Sequence, residues 1–197
     1  DVKNYPIGMC DYLIDLGAGD GRIGNEFIKI FPNKKPIGIF IEPKIPDCIK
    51  LEKANGEVLT KLRLEPSEKF LSTGNDIWFN CTLQEFMSSN KDYLSHARMG
   101  IVSNPPFHSS LAFLKDALAL MQHGCLGSFI MFLLPLTTLC TNRSYNIFSH
   151  SPATAIYNAI QRPSFTGDKK TFATEYAWFE WKKGYNNDGH INWLNWR

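Results

Sequence analysis

The chain has 197 residues, enough for one domain with a full hydrophobic core and short for two. Hydrophobic residues make up 44% and charged residues 20%, a globular balance that excludes disorder of the whole chain. Its 21 basic and 19 acidic residues leave a net charge of +2, so any nucleic-acid substrate has to be held by a few placed cations rather than by bulk charge.

Taken in chain order, Tyr12 to Leu16 reads as a buried strand running into a glycine loop. Arg22 to Phe31 reads as a helix with Ile23, Phe27, Ile28 and Ile30 on an apolar face, closed by Pro32. Pro36 to Glu42 is a second buried strand, Asp76 to Phe79 a third and Gly100 to Ser103 a fourth. Ser109 to Gln122 repeats Leu111, Leu114, Leu118 and Met121 at helical spacing. Gly127 to Leu134 is a fifth strand; Ala153 to Ile160 and Thr174 to Trp181 are two more. Residues 54–75 carry no decisive pattern and stay open between helix, strand and insertion. Strand and helix in alternation predict an α/β fold in one domain spanning residues 1–197: a doubly wound, mostly parallel seven-stranded sheet covered on both faces. The last two strands, joined by a loop alone, predict an antiparallel C-terminal hairpin.

The first strand ends in Asp15-Leu16-Gly17-Ala18-Gly19-Asp20-Gly21. Glycines at 17, 19 and 21 permit a tight turn and leave bare backbone for a ligand, with the free N–H groups of the next helix aimed at it. Glu42, at the end of the second strand, can accept both ribose hydroxyl protons of an adenosine. Gly19-x-Gly21-x-x-Gly24 also satisfies the dinucleotide pattern, which leaves a nicotinamide or flavin enzyme open. No Gly-Lys-Ser/Thr follows, so a P-loop is excluded. A calcium loop from Asp15 fails, because Gly17 and Gly19 fall where oxygen ligands belong. The plain alternative is a turn that only tightens strand–helix packing.

The fourth strand runs into Asn104-Pro105-Pro106-Phe107. In a parallel sheet this is the carboxyl edge, where ligands sit. The prolines stiffen the turn and lack N–H donors, leaving carbonyls as acceptors, and Asn104 adds a side-chain carbonyl. An aryl or amide NH₂ needs its lone pair freed before it can attack a methyl sulfonium. The Asn104 side chain and the Pro105 carbonyl can hold its two protons and draw the nitrogen toward tetrahedral geometry, which is preorganisation rather than covalent catalysis. Phe107 offers a flat face for a planar substrate. The plain alternative is a proline turn that ends a strand.

Together these residues resemble the amino-methyltransferase branch of the class I, Rossmann-like methyltransferases. Asp15, Gly17, Gly19 and Gly21 match the D-x-G-x-G-x-G loop, Glu42 the acidic end of the second strand, and Asn104 to Phe107 the N-P-P-[FY] motif. The resemblance implies S-adenosyl-L-methionine as cofactor, held by Asp15, Gly17, Ala18, Gly19, Gly21, Glu42, Asn80, Cys81 and Asn104. It implies Asn104, Pro105, Pro106 and Phe107 as the catalytic set. Asn80-Cys81-Thr82 departs from the family, which often carries an acid there. The motif serves adenine in DNA, adenine or guanine in RNA, and glutamine in release factors.

Arg162 to Asp168 and Thr174 to Phe179 resemble the tail of phage- and prophage-type DNA adenine methyltransferases. That points to DNA as partner and adenine N6 as acceptor, with Arg162, Lys169 and Lys170 on phosphates and Phe165 and Phe107 on a displaced base. An ordinary charged hairpin loop explains the same residues equally well. No insertion is large enough for a target-recognition domain, so specificity comes from a short segment or from a partner chain, or the substrate is RNA or protein. A non-catalytic module that keeps the fold is the alternative of a different class.

The five cysteines, Cys10, Cys48, Cys81, Cys125 and Cys140, contain no C-x-x-C pair, and their odd number fits a reduced, cytoplasmic setting. The histidines do not pair with them at ligand spacing, so no metal is expected. Gly127 to Leu136 is the longest apolar stretch and too short to span a bilayer. A start at Asp1 without methionine is expected of a trimmed or excised chain.

Overall fold

A computed structural model describes residues 10–31, 35–43, 51–53, 58–59, 69–72, 76–79, 81–159, 174–185 and 190–194. The strands are β1 (Tyr12–Leu16), β2 (Ile37–Ile41), β3 (Leu51–Lys53), β4 (Val58–Leu59), β5 (Lys69–Ser72), β6 (Ile77–Phe79), β7 (Met99–Ser103), β8 (Phe129–Pro135), β9 (Ala155–Ala159), β10 (Tyr176–Lys182) and β11 (His190–Leu194). The helices are α1 (Arg22–Lys29), α2 (Leu83–Leu94), α3 (Ser110–His123) and α4 (Asn142–Phe148).

All the strands join one sheet in the order β11-β9-β10-β8-β7-β1-β2-β6-β5-β3-β4. The middle, β8-β7-β1-β2-β6, is parallel throughout. β10 lies antiparallel between β8 and β9, the expected C-terminal hairpin. The seven expected strands are therefore all present. Four more extend the sheet: β3, β4 and β5 add an antiparallel edge, β4 and β5 inside the stretch left open and β3 just before it, and β11 runs parallel to β9 at the other edge.

β1 shows why the sequence reads as a continuous apolar run. Leu13 packs with Ile23, Phe27 and Ile28 of α1 on one face. Ile14 and Leu16 pack with residues of α2, α3 and α4 on the other. A strand buried on both faces cannot alternate polar and apolar residues. In the core, Phe179 and Trp181 of β10 meet Phe148, with ring centroids 5.8 and 5.7 Å from it. Burying each such side chain contributes about 1.5–3 kcal/mol.

Two helices escaped the periodicity and are explained by their caps. Thr82 and Glu85 form a reciprocal capping box at the start of α2: the Thr82 N–H donates to Glu85 Oε2 at 2.7 Å, and the Glu85 N–H to Thr82 Oγ1 at 3.3 Å. The Ser144 N–H donates to Thr141 Oγ1 at 3.1 Å and so starts α4. Among the described residues no helix is long and apolar enough to cross a membrane.

Candidate functional site

β1 is the point where the winding of the sheet reverses. The chain moves from β1 to β2 on one side and later returns to β7 on the other. The carboxyl ends of β1 and β7 therefore open a crevice, the place where an open α/β sheet takes its ligand. The glycine loop leaves one end, and Asn104 to Phe107 leaves the other.

The two ends are tied together. In the parallel register Asp15 pairs with Val102. One residue on, the buried Ser103 hydroxyl donates to the Leu16 carbonyl at 2.6 Å. A second tie comes from α3, which follows the proline motif. Phe113 returns against the loop, so that a Cβ at Gly17 would lie 3.1 Å from its ring.

Gly17, Gly19 and Gly21 all have positive φ, 66°, 56° and 76°, the left-handed region that a side chain resists. The turn is held by the Gly17 and Ala18 N–H groups donating to the Ile41 carbonyl and by Gly21 N–H donating to the Ala18 carbonyl. A Cβ at Gly19 would meet nothing within 4 Å. That space lies over bare backbone, as a bound adenosyl group requires. Glu42 borders it: the Gly19 N–H donates to Glu42 Oε2 at 2.8 Å.

Asp15 has a different task from its neighbours. It is 2% exposed and accepts the Gly24 N–H at 2.8 Å, fixing the first turn of α1 against β1. Gly24 allows the approach, because a Cβ there would come within 2.7 Å of Phe40 and 2.9 Å of Asp15 Oδ2. Burial pushes the Asp15 carboxyl up to about 7, the Gly24 N–H opposes the shift, and the nearby charges of Glu42 and Asp20 add to it. Of the two residues expected after the third strand, Asn80 lies outside the described residues. Cys81 turns its thiol into the main core, where burial raises it to about 11.

In the proline motif Asn104 is exposed and Pro105 buried. The Pro106 carbonyl accepts from the Ser109 N–H and hydroxyl. Among the described residues nothing donates to the Pro105 carbonyl or pairs with the Asn104 side chain. Both acceptors assigned to the incoming amine are thus uncommitted. Phe107 is 66% exposed, so its ring is not spent on packing. It borders a cleft of about 660 Å³ whose far wall is the segment after β8, with Thr137, Thr138, Asn142 and Arg143. Neither Ser103 nor that wall was expected from the sequence; the position of Ser103 at the strand end was the available signal.

The C-terminal tail motif divides. Thr174 to Phe179 leads into β10, where Ala177 and Phe179 are core residues. Its aromatic pattern there is explained by packing. Arg162, Phe165, Lys169 and Lys170 lie outside the described residues.

No family model matches the chain, and no curated protein does. Solved structures do. A proposed RNA methyltransferase from Pyrococcus horikoshii superposes with a TM-score of 0.52 at 15% identity, over 89% of this chain and 76% of that one. Aeropyrum pernix fibrillarin, solved with natively bound S-adenosyl-L-methionine, gives 0.47 at 9% identity, over 89% and 67%. The M protein of the type I restriction enzyme EcoKI gives 0.47 at 13% identity, over 94% of this chain and 44% of that one. With its parallel centre, reversal at β1 and antiparallel β10, the chain has the Rossmann-like fold of the methyltransferases.

Proposed function

We propose that the protein is an S-adenosyl-L-methionine-dependent methyltransferase acting on an exocyclic amino group, with adenine N6 in DNA as the acceptor. The observation that carries this reading is the join at Ser103 and Leu16. It sets an open, glycine-floored space beside two free hydrogen-bond acceptors on one sheet edge. When bound, the cofactor supplies a methyl group on a positively charged sulfur.

The chain's own residues do the rest. Gly17, Gly19 and Gly21 keep the floor low, and Glu42 receives the ribose. Asn104 and the Pro105 carbonyl would accept the two N–H protons of the target amine and free its lone pair for attack. The amine held in this way would take the methyl group that the cofactor would supply, the thioether leaving with the C–S electron pair. The methylated nitrogen then carries the positive charge and gives up one proton to water. No strong base is needed before transfer, because the amine attacks while neutral. Phe107 stacks on the planar group. A base inside a duplex is out of reach, so it is flipped or already unpaired.

Residues 1–197 act as one catalytic domain. Sequence choice then falls to residues 160–173, with Arg162, Phe165, Lys169 and Lys170, or to a partner chain. A cytoplasmic setting suits such a substrate. Incubation with methyl-labelled cofactor and unmethylated DNA, RNA and protein in parallel tests the proposal. Label in DNA supports it. Label only in RNA or on glutamine moves the acceptor, and absence of cofactor binding by calorimetry favours a non-catalytic module.

A further inference from the structure

The cleft beside Phe107 does not end at Arg143. A second cavity of about 280 Å³, lined by Leu111, Ala112, Lys115, Arg143, Asn146 and Ile147, shares Leu111, Ala112 and Arg143 with the first. The two form one trough between α3 and α4, starting at the carboxyl edge of the sheet. Its chemistry is one-sided: Arg143 and Lys115 line it, and among the described residues no carboxylate does. The acid on α3 next to Lys115, Asp116, accepts from Gln84 of α2 at 2.8 Å and is not among the lining residues. Arg143 and Lys115 are both exposed, and neither has an ion-pair partner among the described residues.

In a chain of net charge +2, two unpaired cations in an acid-free trough make a local anion track. The exposed ring of Phe107 at its mouth adds a stacking surface. An acidic peptide offers charge but no flat base for that ring; a nucleic-acid strand offers both. We propose that the trough is the track of the substrate strand, with Arg143 and Lys115 holding its phosphates while the target base turns in past Phe107. This rests on the methyltransferase reading for the identity of the target, though not for the binding itself.

The experiment titrates a fluorescein-labelled single-stranded DNA oligonucleotide into the full chain by anisotropy, from about 50 to 200 mM salt. The variants are the double substitution Arg143→Ala with Lys115→Ala, and Arg143→Lys alone. The double variant is expected to bind about tenfold more weakly, with the log–log salt slope reduced by about 1.4, two contacts at about 0.7 each on a single strand. Arg143→Lys, which keeps the charge, is expected to stay within about twofold. Both positions are exposed, so both proteins should keep the wild-type melting temperature. Unchanged affinity and slope in the double variant overturn the proposal, as does tighter binding of a polyglutamate peptide than of the oligonucleotide. Cofactor affinity is measured separately by calorimetry. If the wild type binds no S-adenosyl-L-methionine but its oligonucleotide binding still depends on the two cations, the trough stands and the catalytic reading falls.

Discussion

The Ser103 hydroxyl donates to the Leu16 carbonyl across 2.6 Å, inside the protein, at the last residue of each of two neighbouring parallel strands. The glycine loop begins one residue after the acceptor, and Asn104 one residue after the donor. Replacing Ser103 by alanine removes the donor and leaves a buried carbonyl short of a partner. The expected cost is about 2 kcal/mol, or about 4–8 °C in Tm for a chain of this size. Turnover should fall with it, because the acceptors at 104 and 105 lose their fixed distance from the loop. A thermal melt beside a kcat measurement checks this; an unchanged kcat would deny the tie any functional part.

Asn104 is exposed and makes no bond to the described residues, so Asn104→Ala should leave the fold intact. If its side chain holds an amine proton in the transition state, kcat should drop by at least about 100-fold. Cofactor affinity should change by less than about threefold. Calorimetry and single-turnover kinetics separate the two, and equal losses in both would contradict the role.

Two glycines in the same region should fail in opposite ways. Gly24→Ala drives a methyl into Phe40 and Asp15 and should cost about 1–3 kcal/mol of stability. Gly19→Ala meets nothing, so its stability cost is the left-handed strain of about 1–2 kcal/mol. It also puts a methyl into the space assigned to the cofactor, and cofactor affinity should fall at least about tenfold. Melting curves with and without S-adenosyl-L-methionine distinguish the two; a Gly19→Ala protein that binds cofactor normally would place the ligand elsewhere.

Asp15 carries a pH signature. Its folded pKa is raised from 3.8 to about 7, chiefly by burial. Between those values the folded state holds a proton that the unfolded state has lost. Stability is therefore greatest below about pH 4 as far as this group is concerned, and declines as pH rises toward 7. Asp15→Asn, which keeps an oxygen for the Gly24 N–H, should flatten that decline. The check is Tm against pH for both proteins; parallel curves would show that Asp15 does not titrate in this window.

The middle of the sheet was legible because burial on two faces writes itself as short apolar runs, as in Tyr12–Leu16 and Phe129–Pro135. Gly17 to Gly21 and Asn104 to Phe107 stand out in the sequence because the chemistry proposed for them lies in residue type and local spacing. α2 was not, since its signal was the Thr82–Glu85 cap and not a stripe. β3, β4 and β5 are two to four residues long, too short for a period to register. The trough between α3 and α4 joins Phe107 to Arg143 through tertiary packing, which no spacing along the chain encodes. Cys81, singled out by motif order, has its side chain in the main core.

The most direct test of methyl transfer at this edge is mass spectrometry of nucleosides from unmethylated DNA and RNA treated with the protein and methyl-deuterated S-adenosyl-L-methionine. The account predicts N6-methyldeoxyadenosine carrying the deuterated methyl, absent when Asn104→Ala replaces the wild type. Label on a ring carbon or an oxygen, or equal labelling by the wild type and Asn104→Ala, would contradict it.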